Sequence, residues 1–182
     1  LDAMIIGAGV AGMYQLYRLR ELGMRVRVFE AGTDVGGTWY WCRYPGARFD
    51  SESWSYGYSF SEELLQEWDW PEHFSAQPDT LRYLEYVADK FDFRRDIQFN
   101  SRMIAARFDD DTGTWTITLE SGEQVTAPLM ITALGPLSAF TMPNIPGVPD
   151  FKGPAYHTAR WPKETVDLKG KRVGIIGTGA TA

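Results

Sequence analysis

Residues 3–30 read AMIIGAGVAGMYQLYRLRELGMRVRVFE and predict a strand, a helix and a second strand, in that order. Residues 3–6 are apolar without alternation, which is typical of a parallel strand covered on both faces. Gly23 can end the helix, and residues 24–30 form the second strand. One face of the helix is marked by residues at helical spacing, namely Gly12, Leu16, Leu19 and Gly23. This β-α-β order predicts an α/β fold built on a parallel sheet.

The turn between the first strand and the helix has the pattern G-x-G-x-x-G, at Gly7, Gly9 and Gly12. The three glycines allow a tight turn, a close approach of the backbone to a pyrophosphate, and close packing of helix on strand. Backbone N–H groups and the helix dipole hold the anion. Glu30 ends the second strand near the roughly 20-residue offset at which an acid meets a ribose hydroxyl. The turn is therefore predicted to bind a dinucleotide.

A second glycine pair follows the second strand, at Gly36 and Gly37, and Thr38, Trp39 and Trp41 come directly after it. An NAD site does not need this second loop. It predicts a segment laid along the rest of a longer dinucleotide, which would be FAD.

A flavin-dependent disulfide reductase is the nearest different interpretation, because its early glycine turn is also followed by an acid and a glycine pair. That chemistry needs two neighbouring thiols. Cys42 is the single cysteine of the sequence, which excludes this class together with an internal disulfide and a multi-cysteine metal site. Cys42 is predicted to be a small buried hydrophobic residue.

The composition is that of a soluble globular protein of 182 residues, with a formal net charge of -6 and 44% hydrophobic residues. An acidic chain without a basic patch argues against nucleic-acid binding. No apolar run approaches the roughly 18 residues that a bilayer span needs, and the N-terminus lacks a signal-peptide pattern. We therefore expect a cytoplasmic protein without a nucleic-acid or membrane partner. The motif that stops at residue 182 predicts a piece of a longer protein.

The middle of the chain predicts helices followed by a small antiparallel sheet. Helical spacing of apolar residues is found over residues 61–68 and 78–91. Alternating apolar and polar residues, separated by turn sequences, then predict an inserted antiparallel β meander. Its strands are expected at residues 97–108, 114–120 and 124–127.

The last third of the chain predicts a return to the parallel sheet and a second glycine turn. Residues 129–134 are another continuous apolar strand, and PNIPG at residues 143–147 is a rigid connector. Residues 173–176 mirror the first strand. The accepted variant G-x-G-x-x-A follows at Gly177, Gly179 and Ala182. Two nucleotide sites are therefore predicted in one polypeptide.

The segment FKGPAYHTARWP, residues 151–162, matches F-x-G-x-x-x-H-x-x-x-W-P at every fixed position, namely Phe151, Gly153, His157, Trp161 and Pro162. With GGTWYWCRYPGARFDSES at residues 36–53 and PNIPG, the chain closely resembles the Baeyer-Villiger monooxygenases, the class B flavoprotein monooxygenases. The resemblance covers almost the whole chain. Leu134 and Cys42 depart from the family's common threonine and asparagine, which leaves the substrate class open.

The resemblance implies an FAD-binding Rossmann-like domain over residues 1–142, a linker over 143–168 and the start of an NADP-binding Rossmann-like domain over 169–182. It implies hydride transfer from NADPH to FAD, addition of O2 at the flavin C4a carbon, and attack of the peroxide on a small-molecule ketone. An ester or lactone results. The family's arginine that supports this peroxide is expected after residue 182.

The resemblance also assigns site residues. Asp50 would lie beside the flavin and position the arginine and the nicotinamide, as the catalytic residue of this chain. Arg48 would lie near NADP, although a surface guanidinium is an open alternative, and the backbone at Met103 would meet the FAD adenine. The side chains implied to line FAD are Thr38, Trp39, Tyr40, Trp41 and Tyr56, of which Tyr56 could equally be core. Gly177, Thr178, Gly179 and Ala182 would bind NADP.

The linker residues are expected to hold the two cofactors in register. His157 would fix or relay domain position rather than act as a general base, with an ordinary linker hydrogen bond as the alternative. Phe151 and Trp161 would anchor the linker by burial, and Pro162 would stiffen it.

Two other functions stay open. Nitrogen- or sulfur-oxygenating flavin-containing monooxygenases share both nucleotide turns and a similar linker, but usually lack the Trp-Pro ending. A flavin-binding fragment that is inactive by itself is the third interpretation.

Overall fold

The computed structural model describes residues 1–179 and residue 181 and divides the chain into two compact units. The first unit consists of Leu1–Tyr40 and Leu81–Pro136, and the second of Trp41–Thr80 and Leu137–Ala182. The predicted division at residues 142 and 168 follows sequence motifs rather than compactness, and it stays a prediction.

The strands of the described residues are β1 (Ala3–Ile6), β2 (Val26–Phe29), β3 (Ile97–Gln98), β4 (Met103–Asp109), β5 (Thr114–Leu119), β6 (Gln124–Ala127) and β7 (Leu129–Thr132). The α-helices are α1 (Val10–Glu21), α2 (Thr38–Trp41), α3 (Ser53–Tyr56), α4 (Glu62–Glu67) and α5 (Gln77–Lys90). Short 3-10 turns lie at Arg94–Asp96, Val148–Asp150 and Thr158–Arg160. No helix in this described part is long and apolar enough to cross a membrane.

A parallel sheet with the strand order β3-β2-β1-β7 forms the centre of the first unit. Ala3 of β1 pairs with Val26 on one side and with Leu129 on the other. All four residues of β1 are buried, as its unbroken apolar run predicts. The predicted return of residues 129–134 to this sheet is confirmed in β7.

The antiparallel sheet β4-β5-β6 packs its apolar face on the parallel sheet. Side chains alternate between the two faces of a strand, so Met4 and Ile6 point toward the meander while Ile5 points away from it. The shared core consists of Met4, Ile6, Phe29, Ile117, Leu119 and Ala127. The meander therefore closes one face of the sheet that carries the first glycine turn.

Arg20 joins the end of α1 to the turn that follows α5. Its Nε donates to Asp96 Oδ2 at 2.7 Å, and its other nitrogens donate to the carbonyls of Phe91 at 3.0 Å and Asp92 at 2.9 Å. The guanidinium carbon also lies 5.4 Å from the ring centre of Phe93. These contacts fix α1 against the turn between α5 and β3.

The second unit has short helices and long irregular segments. α4 begins after Ser61, whose side chain accepts the N–H of Leu64 at 3.2 Å, a normal N-terminal cap. The helix predicted over residues 61–68 is confirmed at Glu62–Glu67 in this unit, and the one predicted over 78–91 is confirmed at Gln77–Lys90, which begins here and continues into the first unit.

The single strand predicted over residues 97–108 is wrong, because the structure divides it between two sheets. Ile97–Gln98 pairs with β2 in the parallel sheet, and Met103–Asp109 opens the meander. The chain turns at Asn100, whose φ is 54°. Asparagine tolerates this left-handed conformation better than most residues do. Alternating apolar and polar residues continue on both sides of the turn and conceal it.

The strand predicted at residues 173–176 is not formed in the described part of the chain. Val173, Ile175 and Ile176 are 56%, 69% and 71% exposed, and none of them belongs to either sheet. A strand needs a neighbour for its backbone N–H and C=O groups, so an apolar run alone does not make one.

Replacing Glu85 by glutamine is expected to stabilise the protein. Burial, and next the nearby Asp34 carboxylate, raise the pKa of Glu85, while Arg94 opposes the shift. Asp89, one turn along α5, adds a like charge. A raised pKa means that the folded state disfavours the ionised form, so wild type loses stability at neutral pH and regains it as Glu85 is protonated. Relief of the repulsion should add about 0.5 kcal/mol at neutral pH.

Urea unfolding of wild type and Glu85→Gln, followed at about pH 7.5 and about pH 5, checks this expectation. The difference should shrink at the lower pH. Asp110→Asn, in the exposed turn between β4 and β5, is the control and should change little. A Glu85→Gln protein no more stable than wild type at the higher pH contradicts the assignment.

Candidate functional site

The first glycine turn is held between β1, β2 and the residue after β7. Gly7 has a φ of 104°, a backbone angle that residues other than glycine rarely adopt. Its N–H donates to the Phe29 carbonyl at 2.9 Å. The Ala133 N–H donates to the Ile6 carbonyl at 2.8 Å. A Cβ on Gly7 would lie 2.6 Å from the Ala133 carbonyl oxygen. The turn is therefore built for glycine.

The other two glycines of the turn meet backbone directly. A Cβ on Gly12 would lie 1.9 Å from the Gly7 carbonyl oxygen, far inside van der Waals contact. A Cβ on Gly9 would lie 3.2 Å from the Gly37 Cα, and one on Gly37 would lie 2.7 Å from the Gly9 Cα. The two glycine-rich segments thus pack against each other through backbone alone. We call the arrangement of Gly7–Gly12 against Gly36–Gly37 the glycine cradle.

Glu30 turns back into the glycine cradle. Its Oε2 accepts the N–H of Ala8 at 2.7 Å, and its Oε1 accepts the N–H of Gly32 at 2.7 Å. The side chain is buried. Glu30 therefore joins the end of β2 to the first glycine turn.

The loop after Glu30 is braced by aromatic residues. The Tyr40 hydroxyl accepts the Thr33 N–H at 3.1 Å and lies 2.7 Å from Thr33 Oγ1. The Trp39 N–H donates to the Gly36 carbonyl at 3.0 Å, so α2 starts directly from the second glycine pair. Trp39 and Tyr40 are both buried, and Thr38 is half-buried at the start of α2. Their predicted contact with FAD stays a prediction.

Met103 lies near the same end of β2. The Ser101 N–H donates to the Glu30 carbonyl at 2.8 Å, and the Asn100 N–H donates to the Gly32 carbonyl at 2.9 Å. Met103 follows two residues later as the first residue of β4 and packs on the core. The first unit therefore brings the glycine cradle, Glu30 and Met103 to one edge of the parallel sheet.

Asp50 lies in the second unit, in an exposed loop whose two ends are tied to one neighbouring segment. Before it, the Ala47 carbonyl accepts the Gln77 N–H at 2.8 Å. After it, the Ser53 N–H donates to the His73 carbonyl at 2.8 Å. The backbone that carries Asp50 is thus held from both sides.

Two buried serines reinforce the far end of this loop. The hydroxyl oxygens of Ser53 and Ser75 lie 2.9 Å apart, and the Ser75 N–H donates to the Ser53 hydroxyl at 3.1 Å. Both residues are fully enclosed. Buried hydroxyls that are paired in this way hold the two backbone segments together.

Arg48 contributes to the near end of the loop. It forms an antiparallel bridge with Ala76, and its guanidinium donates to Glu72 at 3.0 Å and to the Phe74 carbonyl at 3.1 Å. The side chain is half exposed. These contacts fit the surface alternative, and its place near NADP stays a prediction.

Aromatic packing surrounds the residues next to Asp50. The buried Phe49 ring stacks on Tyr56 with ring centres 4.5 Å apart, and its edge meets Trp70 at 6.0 Å. Tyr56 therefore has the contacts of a core residue, and its contact with FAD stays a prediction.

The segment 151–162 folds around His157 and Arg160. His157 Nδ1 accepts the Ala159 N–H at 3.1 Å and begins the 3-10 turn, while its ring lies 4.5 Å from Phe140. The Arg160 guanidinium lies 5.0 Å from the Phe140 ring centre and 5.7 Å from that of Trp41. His157 thus makes the ordinary linker hydrogen bond, and its role in domain position stays a prediction.

The expectation that Phe151 anchors the linker by burial is wrong, since its side chain is 65% exposed. Its ring lies against Gly153, where a Cβ would come within 2.7 Å of the ring. Glycine at residue 153 therefore leaves room for the ring in this position. Trp161 is half-buried and contacts Tyr156, with ring centres 5.4 Å apart.

Cys42 is buried in the second unit, as predicted. Burial raises the pKa of its thiol, against the opposing charge of Arg160. A thiol in this environment is protonated at neutral pH and packs as a small hydrophobic group.

The second glycine turn shares one backbone feature with the first. Gly177 has a φ of 124°, close to the 104° of Gly7. Thr178 and Gly179 are exposed, and Ala182 lies outside the described residues. The prediction that this turn binds NADP stays a prediction.

The glycine cradle fits the phosphates of a dinucleotide. Gly9 is the N-terminal cap of α1 and makes no side-chain hydrogen bond to its first turn, so an anion can approach the helix end. Side chains are absent where Gly9 and Gly37 meet. Glu30 places a carboxylate at the end of β2, and its predicted contact with a ribose hydroxyl stays a prediction.

The sequence model of flavin-binding monooxygenase-like proteins matches residues 2–182. The chain belongs to this family. Because the family is flavin-binding, the interpretation of the glycine cradle as a dinucleotide site is consistent with it.

Curated relatives of the family match the chain over nearly its full length. It is 51% identical to the acetone monooxygenase (methyl acetate-forming) of Gordonia sp., covering 100% of this chain and 34% of the relative. It is 49% identical to a Baeyer-Villiger monooxygenase of Pseudooceanicola batsensis, and the match covers 99% of this chain and 33% of the relative. It is 47% identical to the phenazine N-monooxygenase of Lysobacter antibioticus, covering 99% and 33%. The chain spans about a third of the length of these relatives, and the resemblance to Baeyer-Villiger monooxygenases is confirmed.

A crystal structure of OTEMO in complex with FAD and NADP superimposes with a TM-score of 0.93. It is 50% identical, and the match covers 100% of this chain and 35% of that one. The predicted α/β fold, with a Rossmann-like parallel sheet and an antiparallel meander, is confirmed.

Three side chains of the site region were missed from the sequence. Asp34 and Arg94 pair across the first unit at 2.8 Å, and Arg160 stacks between aromatic rings in the second. Arg160 lies at a variable position of the linker signature, so only its aromatic neighbours could have indicated it. Asp34 and Arg94 carry no sequence signal, because the pair exists only after the chain has folded.

Proposed function

We propose that this chain binds FAD in the glycine cradle and belongs to an NADPH- and O2-dependent monooxygenase that inserts one oxygen atom into a ketone. The observation that carries the proposal is the backbone contact of Gly9 with Gly37, beside a Glu30 carboxylate bonded to the Ala8 N–H. The close similarity to ketone-oxidising relatives supports the reaction class. An ester or lactone is the expected product.

Residues of the first unit would bind and orient FAD. The turn Gly7–Gly12 would receive the pyrophosphate at the start of α1, and Glu30 would accept a ribose hydroxyl. Met103 would meet the adenine through its backbone. FAD, when bound, supplies the oxygen-activating chemistry, and the protein supplies orientation and a site that excludes water.

Residues of the second unit would serve the nicotinamide cofactor and the reaction. Asp50, on its doubly held loop, would position the nicotinamide and a cationic partner by its carboxylate charge. Arg48 and the turn of Gly177, Thr178, Gly179 and Ala182 would contact NADPH. The segment 151–162 would connect the two cofactor sites.

Nitrogen oxygenation is the second candidate, and the identity of 47% to a phenazine N-monooxygenase favours it. The two reactions give different products from different substrates. Incubation of the intact protein with NADPH, O2 and either cyclohexanone or phenazine, followed by mass spectrometry, separates them. A lactone with consumption of NADPH supports ketone oxidation, and only an N-oxide supports the second candidate. A purified protein without flavin overturns the proposal.

Asp50→Asn is expected to slow turnover at least about tenfold while leaving the bound FAD unchanged. The loop is held by backbone and serine contacts that the substitution does not touch, so the fold should persist. Steady-state NADPH oxidation in the presence of ketone, normalised to flavin absorbance, measures the effect.

Glu52→Gln is the matched control for Asp50, because Glu52 is an exposed carboxylate of the same loop and lies 3.5 Å from His73. It should keep wild-type turnover. Equal turnover of Asp50→Asn and wild type removes Asp50 from the mechanism.

A further inference from the structure

Arg94 and Asp34 lie sixty residues apart in sequence and form a charged side-chain contact with the loop that follows β2. Two nitrogens of Arg94 donate to Asp34 Oδ1, at 2.8 Å from the terminal nitrogen and 3.1 Å from Nε. The same oxygen accepts the Val35 N–H at 2.7 Å. A third Arg94 nitrogen bonds Asp89 of α5. The guanidinium thus ties the loop to the end of a helix.

This loop needs such a support, because residues 31–37 have no helix or strand of their own. Two contacts place its end in the glycine cradle. The Gly36 N–H donates to the Ala8 carbonyl at 3.1 Å, and Gly37 lies against Gly9. Gly36 follows Asp34 by two residues. A displacement of Asp34 would therefore move Gly36 and, with it, the glycine cradle.

Arg94 offsets the repulsion between the carboxylates around it. Asp34, Asp89 and the half-buried Glu85 all interact electrostatically with this one guanidinium. Without Arg94, the half-buried Asp34 and Glu85 would repel each other, with the exposed Asp89 adding a weaker like charge. Asp34 lies on the irregular loop and can therefore move away. The Arg94 side chain is 30% exposed, so solvent and salt screen it only in part.

We propose that Arg94 is a positioning residue for the dinucleotide: through Asp34 it holds the second glycine pair against the first and so sets the affinity of the cradle for FAD. The inference rests on the proposed function, since it assumes that FAD binds in the cradle. Arg94 does not touch the cofactor and acts through the loop.

The chain offers a matched control in the next residue. Arg95 has the same charge and lies in the same 3-10 turn, but it is 65% exposed and pairs with Asp92 at 3.2 Å and Asp96 at 3.7 Å, away from the loop. Arg95→Met therefore removes one positive charge from the same turn without changing the support of residue 34.

The test uses the intact protein, stripped of flavin and titrated with FAD, with flavin fluorescence as the readout of the dissociation constant. Arg94→Met should bind FAD about tenfold more weakly, and Arg95→Met within about twofold of wild type. Circular dichroism at the titration temperature establishes that each variant is folded. Arg94→Lys should recover only part of the affinity, because lysine cannot form the forked contact.

A double variant separates positioning from a general loss of stability. If Arg94 acts through Asp34, Asp34→Asn should weaken FAD binding, and adding Arg94→Met to it should weaken binding little further. Additive losses, or equal affinities of Arg94→Met and Arg95→Met, overturn the inference. If Arg94→Met does not fold, the FAD affinities of Asp34→Asn and Arg95→Met are compared instead. Asp34→Asn should bind FAD more weakly than Arg95→Met, and equal affinities overturn the inference. A wild-type protein that binds no FAD overturns the proposed function itself, which the other outcomes leave intact.

Discussion

Gly12→Ala should abolish flavin binding and destabilise the protein by about 3 kcal/mol. The new methyl would lie 1.9 Å from the Gly7 carbonyl oxygen, which is backbone and cannot rotate away. Either α1 moves off the sheet or the turn of Gly7 opens, and both changes remove the geometry in which the turn is proposed to receive the phosphates. Urea unfolding followed by tryptophan fluorescence gives the stability, and absorbance of the purified protein gives the bound flavin.

Gly122→Ala is the control for Gly12→Ala. Gly122 lies in the turn between β5 and β6 with a φ of 89° and nothing within 4 Å of a new Cβ, so only the backbone conformation opposes alanine. It should cost about 1 kcal/mol and leave flavin binding unchanged. A Gly12→Ala protein with wild-type flavin content would show that the helix and turn can separate without loss of the site.

Glu30→Ala has the second largest expected effect, a loss of about 3 kcal/mol together with weaker binding of FAD. The substitution removes the acceptor from two N–H groups, those of Ala8 and Gly32, and both residues are buried. Buried donors without an acceptor lose their hydration and gain nothing in return. The same carboxylate is the proposed partner of the ribose, so binding and stability should fall together.

Two further variants test whether the loss of stability comes from the buried hydrogen bonds of Glu30. Glu30→Gln keeps one acceptor oxygen, and its loss of stability should be smaller than that of Glu30→Ala. Glu21→Ala removes an exposed carboxylate that pairs with Arg18 at 2.7 Å and should cost less than about 0.5 kcal/mol. Unfolding midpoints and FAD titrations measure all three. A Glu30→Ala protein as stable as Glu21→Ala contradicts the buried hydrogen bonds.

The first β-α-β unit was predictable because three local signals agree there. Residues 3–6 carry no polar side chain, the glycine pattern follows at once, and Gly23 ends the helix. The local sequence did not predict the strands correctly where their formation depends on a turn or on a neighbouring strand. Asn100 is the residue that separates β3 from β4, and residues 173–176 lack a strand partner in the described chain.

The backbone geometry of the glycine turn was predictable because a side chain at Gly7 or Gly12 would collide with backbone. The binding roles of these glycines and of Glu30 stay predictions. The supports of the site were not predictable. Arg94 meets Asp34 only because α5 and β3 return the chain to the loop after β2, and a pair formed by such a return has no fixed spacing. The same holds for the Ser53 and Ser75 pair beneath the loop of Asp50.

The contact of Gly9 with Gly37 limits how this protein can recover from mutation. In most cores, an enlarged residue is rescued when its neighbour becomes smaller. Neither glycine can become smaller, so a library screened for revertants of Gly37→Ala should yield no suppressor at residue 9. Rescue would have to come from elsewhere in the chain, through substitutions that add stability without restoring the contact.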